Sequence, residues 1–369
     1  MKIVTVKTYP IGIPLKFSYR ISITDIVYKK HLVVKIETDH GIVGYGEVGV
    51  LPPEIGGTLE SLVSTVENYF APVLKGVDPF DIEAIHEKMN KAVYGFHFAK
   101  AAIDIACYDI MGKFLKLPVC NLIGGQYREK VPVTWGLGID NIENNVADAK
   151  KAVQNGYRAI KMKVGQDSIF DIERVKALRE AIGSKVVIRI DANQGYKPKE
   201  AIKTLKKMEK YELQCIEQPV NKLDFKGLAE VQNGTSIPVM TDEAIYSYED
   251  LIRVIELGAA SIINIKLARV GGILRAKKIA HIAEAAGLSC ILGCMLEIGV
   301  GIAAAAHLAA STPNVDLESD LIGHLYHQED IIEGSGNSVL AVKDGYLQLP
   351  EEPGLGVNVI EKTLEKYKV

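Results

Sequence analysis

The sequence has no run of about 18 apolar residues, which excludes a conventional transmembrane helix. It has no excess of positive charge: 43 Lys and Arg stand against 46 Asp and Glu, a formal net charge of -3, so no broad basic surface is available for nucleic acid. Cysteine is scarce and odd in number. Cys107, Cys120, Cys215, Cys290 and Cys294 are scattered through apolar segments, and the Cys290–Cys294 pair has no histidine at ligand spacing. That pattern reads as buried free thiols in a reducing compartment, not as disulfides or a zinc site. The N-terminal MKIVTVKTYPIGIPL alternates and then meets prolines, so it reads as the first strand of a mature protein instead of an apolar signal helix. The expectation is a soluble, cytoplasmic, globular protein whose partner is neither nucleic acid nor membrane.

With 369 residues the chain exceeds one small core and fits a barrel of about 250 residues with an attachment. KIVTVKTYPI alternates, and HLVVKIETDHGIVGYGEV sets two β-rich runs around Asp39-His40-Gly41, a hairpin signal. From Leu59 the apolar spacing changes to three and four in LESLVSTVENYFAPVL, DIEAIHEKMNKAV and FAKAAIDIACYDIMGKFL, which predicts helices. This region, residues 1–128, is expected to be a small α+β domain. After LIGGQYREK, strands and helices alternate. VPVTWGLG, RAIKMKVG, VVIRIDANQG, LQCIEQPV, IPVMTDEA, ASIINIKLARVGG, LSCILGC and PNVDLESDL read as eight strands, the helix at the end of the series being the least marked. The fold expected is α/β, a (β/α)7β-type TIM barrel over residues 129–325, with the tail 326–369 returning to the N-terminal domain. An open doubly wound sheet is the alternative, but no G-x-G-x-x-G follows an early strand.

The ends of these strands carry charge. The second ends in Lys161 and Lys163, the third in Asp191, the fourth in Glu217, the fifth in Asp242 and the sixth in Lys266. From Lys163 onward the steps are 28, 26, 25 and 24 residues, each about one β/α unit, so the groups are predicted to ring the C-terminal mouth of the barrel. A single Asp at a strand end is often a turn former or helix cap. Three consecutive acids flanked by lysines on both sides are not explained that way. Converging carboxylates need a cation, and hard oxygen donors without Cys or His favour Mg²⁺, with Mn²⁺ as a possible substitute. A carboxylate substrate bound there would have its α-proton acidified. Lys163 is then the expected base, its pKa lowered by neighbouring Lys161, and Lys266 the base on the other face. Two bases flanking one carbon suit a racemase or epimerase.

At these residues the sequence resembles the enolase superfamily, specifically the muconate lactonizing enzyme subgroup. The Lys-x-Lys is KMK, the metal ligands fall in DAN, EQP and DE, and the second base opens KLARVGG. The likeness extends over AKAAIDIACYDIMGK, LIGG and, in the tail, PGLG. It implies a capping domain whose loops close over the mouth, and within the subgroup it leans to N-succinylamino acid racemases. It also implies a small carboxylate substrate and a homo-oligomer. Tyr19, in the segment Phe17–Ile26, Ile55, in EVGVLPPEIGGT, and Asn193, in DAN, are taken as substrate-binding, with Glu297 of GCMLEIG and Asp320. Glycine and proline in those two cap segments fit ordinary turns equally well, and Glu297 fits a helix start. Dipeptide epimerases of the subgroup carry Asp-x-Asp before a Gly at the last strand, whereas this chain reads Asp320-Leu321-Ile322-Gly323. Muconate cycloisomerase shares the catalytic ring and stays open as an alternative, as does a dipeptide epimerase, for which Asp316-Leu317-Glu318 half restores the motif. A Schiff-base aldolase and a catalytically silent binding protein are the rivals outside the subgroup. His97 is expected to pack under the cap.

Overall fold

The computed structural model describes residues 1–21, 24–51 and 57–369. Three antiparallel strands come first, β1 (Ile3–Ile21), β2 (Thr24–Thr38) and β3 (Val43–Val50), in that spatial order. The hairpin between β2 and β3 falls where the sequence places it: Glu37 pairs with Val43, and Gly41 has φ 72°, a left-handed turn position. Helix α1 (Leu59–Thr65) widens into a π-turn at Val66–Phe70 before a last turn at Ala71–Leu74. Pro72 accounts for this, because it lacks an N–H and its ring crowds the carbonyl four residues earlier. Helices α2 (Ile82–Ala92) and α3 (His97–Leu115) complete the region.

The sheet is buried on both faces, and strand alternation divides them. Leu32, Val34, Ile36 and Val48 pack with Leu62, Val66, Ala102 and Ala106 of the helices. Ile11, Ile13, Val33 and Tyr45 belong to the core shared with the barrel. Helix α3 is buried from Phe98 to Gly112 and lies so close to β3 that only glycine fits there. A Cβ on Gly46 would stand 1.8 Å from the Ala102 carbonyl oxygen, and one on Gly44 2.3 Å from that of Ala106. Buried acids fasten the same helix outward. Asp104 Oδ1 accepts from Ile273 N at 2.5 Å, and Asp109 Oδ1 from Leu355 N at 3.0 Å.

Strand β4 (Lys130–Pro132) leads into the barrel. β5 (Trp135–Leu137), β6 (Ala159–Lys163), β7 (Val187–Asp191), β8 (Ile216–Glu217), β9 (Val239–Thr241), β10 (Ile262–Ile265) and β11 (Ser289–Leu292) form one parallel sheet in sequence order. Between and after them run α4 (Ile142–Gln154), α5 (Ser168–Ile182), α6 (Pro198–Met208), α7 (Phe225–Gly234), α8 (Tyr248–Leu257), α9 (Ile273–Ala285) and α10 (Gly299–Ser311). Asn141, Asp167, Asp224 and Ser247 cap their helices by accepting backbone N–H groups.

The expected eighth strand is less regular than its neighbours. It forms single parallel bridges, Val315 to Cys290 and Ser319 to Val133, and Asp320 N donates to Leu292 O at 2.8 Å. The segment thus joins β11 to the edge ahead of β5 and closes the ring. A longer ladder is interrupted because the Glu318 carbonyl is taken by the Arg189 guanidinium. In the tail, β12 (Val342–Lys343) and β13 (Tyr346–Gln348) pair with each other and then with β4, while α11 (Glu361–Lys366) leads to Lys368, which bridges Ile11 of β1. Among the described residues no helix is long and apolar enough to cross a membrane, and all five cysteines are unpaired thiols.

Two predictions follow from this packing. Gly46→Val should destabilise the protein by roughly 1–3 kcal/mol or more through overpacking against α3, read as a lowered unfolding midpoint; a surface substitution such as Lys88→Gln should leave the midpoint in place. Acid should also weaken the fold. Burial holds His307 and His324 down at about 4 and His327 at about 3. Above pH 6.5 these imidazoles are neutral whether folded or not. As pH falls from there towards 4 only the unfolded chain takes up the protons, a cost on the order of 3 kcal/mol per histidine. The histidines therefore pull the melting temperature down between pH 7 and pH 5, against Glu217, whose raised pKa works the other way; His307→Gln should lessen the fall, and a fall unchanged in that variant would contradict the buried, uncharged imidazole.

Candidate active site

Strand register assembles the charged residues. Lys163 pairs with Asp191 across β6 and β7, and Asp191 with Glu217 across β7 and β8. Asp242 follows β9 directly and Lys266 follows β10. All three acids are fully buried, and the lysines nearly so. Lys161, Lys163 and Lys266 line one pocket beneath the cap sheet, together with Tyr19, Asn193 and Asp320. The two lysines of β6 lie on one flank of the acids, and Lys266 lies on the other.

The charges are paired in a definite way. The Lys161 ammonium stands 3.0 Å from Asp191 Oδ2, 2.7 Å from Glu217 Oε2 and 2.8 Å from Asp320 Oδ2. Lys163 donates to Asp191 Oδ2 at 2.5 Å and to Asn193 Oδ1 at 2.8 Å. Asp242 is held by Lys266 at 2.9 Å and by Arg269 at 2.5 Å. Burial alone would raise the acids, but Lys161 and Lys163 hold Asp191 well below the carboxylate range, and Arg269 and Lys266 do the same for Asp242. Glu217 goes the other way: burial and neighbouring Asp191 push it up to about 8.

Lys163 departs from the expectation drawn from its neighbour. Burial and the Lys161 charge do lower it, yet contact with Asp191 outweighs both and its pKa lies above the ordinary lysine value. Like-charge repulsion across one strand is weaker here than a carboxylate at hydrogen-bond distance.

Among the described residues no three carboxylate, imidazole or thiol groups form a ready cage for a metal ion. Lys161, Lys266 and Arg269 meet the acids instead. The donor set still fits a hard divalent cation. Three carboxylates converge from adjacent strand ends without nitrogen or sulfur, and the raised Glu217 marks a place short of positive charge. Asp191, Glu217 and Asp242 are the residues that could hold it.

The remaining sequence candidates divide. Tyr19 lines the pocket, and its ring lies 5.4 Å from that of Tyr326. Asn193 takes a left-handed φ of 39°, which turns its side chain onto Lys163. Asp320 also lines the pocket, with Ile322 and Gly323 beside it. Glu297 does not line this pocket. Its Oε2 accepts from Met295 N at 2.5 Å, and the side chain borders a second, smaller cavity with Glu47 and Gly301. Ile55 lies outside the described residues, as do parts of both cap segments expected to carry specificity. His97 stands near Gly271, away from the pocket lining.

Several residues were missed. Arg269, inside KLARVGG, shows no sign in the sequence that it holds Asp242. Arg189, two residues before Asp191 on the same side of β7, is fully buried and bonds Thr134 Oγ1; strand alternation could have found it. Gln218 accepts from Asp242 N and Ala244 N, both at 3.0 Å, and so fixes the neighbouring strand end. Lys29 of β2, 1% exposed, lines the pocket from the cap.

Comparison with known proteins agrees with this geometry. Residues 144–363 match the Enolase C-terminal domain-like family, and residues 3–124 the Mandelate racemase / muconate lactonizing enzyme, N-terminal domain. N-succinyl-L-Arg/Lys racemase of Bacillus cereus is 40% identical, with 100% of this chain and 98% of that protein aligned. Its crystal structure superposes with a TM-score of 0.96 at 39% identity, again covering 100% and 98% of the two chains. The hydrophobic dipeptide epimerase of Enterococcus faecalis is 40% identical over 97% of this chain and all of its own. The crystal structure of a dipeptide epimerase from that organism, complexed with Mg and the dipeptide L-Leu-L-Tyr, gives a TM-score of 0.92 at 39% identity, with 97% and 100% coverage. Muconate cycloisomerase 1 of Rhodococcus opacus is 33% identical over 97% of this chain and 96% of its own. These relatives are racemases, epimerases and cycloisomerases, and the chain is an isomerase that belongs to the mandelate racemase/muconate lactonizing enzyme family of the enolase superfamily.

Proposed function

We propose that this protein is a Mg²⁺-dependent racemase of N-acyl amino acids, N-succinyl derivatives foremost, working through an enolate. The observation that carries the reading is the pair Lys163 and Lys266, which line one pocket from opposite flanks of three buried carboxylates. Asp191, Glu217 and Asp242 would hold the cation. When bound, it would draw the negative charge that builds on the substrate carboxylate as the α-proton leaves.

The chain's own groups do the rest. Lys163 Nζ removes the α-proton from one face, and Lys266 Nζ delivers a proton to the other, with the roles exchanged for the opposite enantiomer. The base must be neutral when it acts. In the structure Asp191 keeps Lys163 charged, and a cation sharing Asp191 would weaken that hold. Lys161, which already reaches Asp191, Glu217 and Asp320, supplies fixed positive charge beside the carbon that reacts. The cap sheet covers the pocket and limits water, which strengthens each of these interactions.

Substrate choice rests on the last strand. The place where dipeptide epimerases have a second Asp is Ile322, buried and in the pocket wall, so an ammonium there would meet Asp320 but lack the second carboxylate. N-succinyl-L-Arg/Lys racemase and the hydrophobic dipeptide epimerase are equally similar at 40% identity, so the last strand carries the choice between them. A muconate-type cycloisomerase is the second reading, supported by the Rhodococcus relative and by the same lysines and acids.

Lys163→Ala and Lys266→Ala should each reduce racemisation by at least about 10²–10⁴-fold, the usual worth of a general base. One of them should still exchange the α-proton of a single enantiomer with D₂O. Full racemase activity in either variant would remove the two-base assignment. Treatment with EDTA should abolish turnover and added Mg²⁺ or Mn²⁺ restore it; borohydride trapping of a carbonyl substrate in EDTA would instead favour a Schiff-base aldolase.

A further inference from the structure

Between the cap and the barrel runs a buried chain of polar groups that the proton transfers do not use. Val33 of β2 pairs with Glu47 of β3, and alternation puts His31 and Glu47 on the sheet face that meets the barrel. Both are fully buried, and His327, which follows the turn Gly323–Tyr326, is nearly so. His31 Nδ1 lies 2.8 Å from Glu47 Oε1, and its Nε2 lies 3.2 Å from His327 Nε2. His327 Nδ1 lies 3.0 Å from the Gly323 carbonyl oxygen, and Glu47 Oε2 accepts from Gly301 N at 2.8 Å. The chain thus leads from Gly323, in the pocket wall, through two cap residues to the first turn of α10.

The ends of the chain set the direction of donation. A carbonyl only accepts, so His327 carries its proton on Nδ1, and its neutral ring accepts at Nε2. His31 must then donate from Nε2. One proton remains between His31 Nδ1 and Glu47 Oε1. Burial, with Glu297 and Asp330 nearby, pushes Glu47 well above the usual carboxylate range, against the pull of the Gly301 N–H. Burial, His327 and Lys29 hold His31 well below the usual imidazole range. Burial holds His327 at about 3, and Lys29, His324 and Lys16 act in the same direction. The remaining proton therefore rests on the carboxyl, and the chain is neutral throughout.

Both ends press on one loop. A Cβ on Gly323 would stand 2.7 Å from the Glu297 carbonyl oxygen and 3.0 Å from Leu296 Cα, and one on Gly301 would stand 2.5 Å from Glu47 Oε2 and 2.8 Å from Glu297 Cβ. In that loop Leu296, which lines the pocket, has a φ of 56°. A left-handed leucine is strained and persists only where its surroundings hold it.

We propose that Glu47, His31 and His327 are positioning residues, joined by one proton into a latch that fixes the cap on the barrel and holds the Leu296 loop in the pocket wall. Glu47 is the neutral acid of the latch, donating to His31 and accepting from Gly301.

Hydrogen exchange of the full chain at pH 7, read by mass spectrometry without substrate, tests the latch apart from the racemase reading. A glutamine amide can donate to His31 Nδ1 and accept from Gly301 N as the protonated carboxyl does, so Glu47→Gln should leave exchange across residues 293–302 within about twofold of wild type. Glu47→Ala, which leaves both partners unpaired, should speed it by about tenfold or more. A glutamate that served as an anion would be undone by both substitutions. Histidine-selective nitrogen NMR of the wild type should show His31 as the Nε2–H tautomer and His327 as the Nδ1–H tautomer. Exchange as fast in Glu47→Gln as in Glu47→Ala, exchange unchanged in Glu47→Ala, or a His31 imidazolium in the spectrum overturns the inference. Should Glu47→Ala not fold, the comparison of Glu47→Gln with wild type and the two tautomers decide it.

Discussion

Asp191 and Glu217 face each other across adjacent strands, fully buried, with Asp242 one strand further on. Carboxylates this close and this dry must each meet a positive charge or give up their own. The barrel mouth meets the demand with Lys161, Lys163, Lys266 and Arg269. Glu217, pushed up to about 8, shows that the supply falls short. A divalent cation held by Asp191, Glu217 and Asp242 would answer that shortage and would weaken the hold of the acids on the lysines. Charge balance and catalysis are in this sense one arrangement.

The fold serves the same end. Parallel strands in sequence order deliver one functional side chain per β/α unit to the same rim. The cap is fastened over that rim by buried contacts. Gly44 and Gly46 let α3 settle against β3, while Asp104 and Asp109 on α3 reach the barrel helix α9 and the tail. Because both faces of the cap sheet are buried, its residues either hold the cap helices or look towards the barrel. Lys29, His31 and Glu47 belong to the second group.

The barrel was legible because its signals are local and repeated: an apolar run, a charged strand end and a helix, at steps of 24 to 28 residues. The acids and lysines of the mouth were legible for the same reason. Residues that act across the chain were not. Lys29 looks like a solvated strand lysine until the barrel is placed against its face, and Arg269 acquires meaning only beside Asp242. The eighth strand reads as a plain strand in PNVDLESDL, but the Arg189 side chain takes one of its carbonyls and leaves isolated bridges. Lys163 gave a different lesson. Its sequence neighbour is Lys161, yet its electrostatic neighbour is Asp191, 28 residues on.

The central claim is that two lysines act on opposite faces of one carbon acidified beside a carboxylate-held cation. Proton NMR of each enantiomer of an N-succinyl amino acid, incubated with the wild-type protein and Mg²⁺ in D₂O, tests it most directly. The account predicts that both enantiomers lose the α-proton signal, that the opposite enantiomer appears in each case, and that product formed first from either side carries deuterium at the α-carbon. Inversion with full retention of the original α-proton, or exchange from one enantiomer with no inversion, would contradict it.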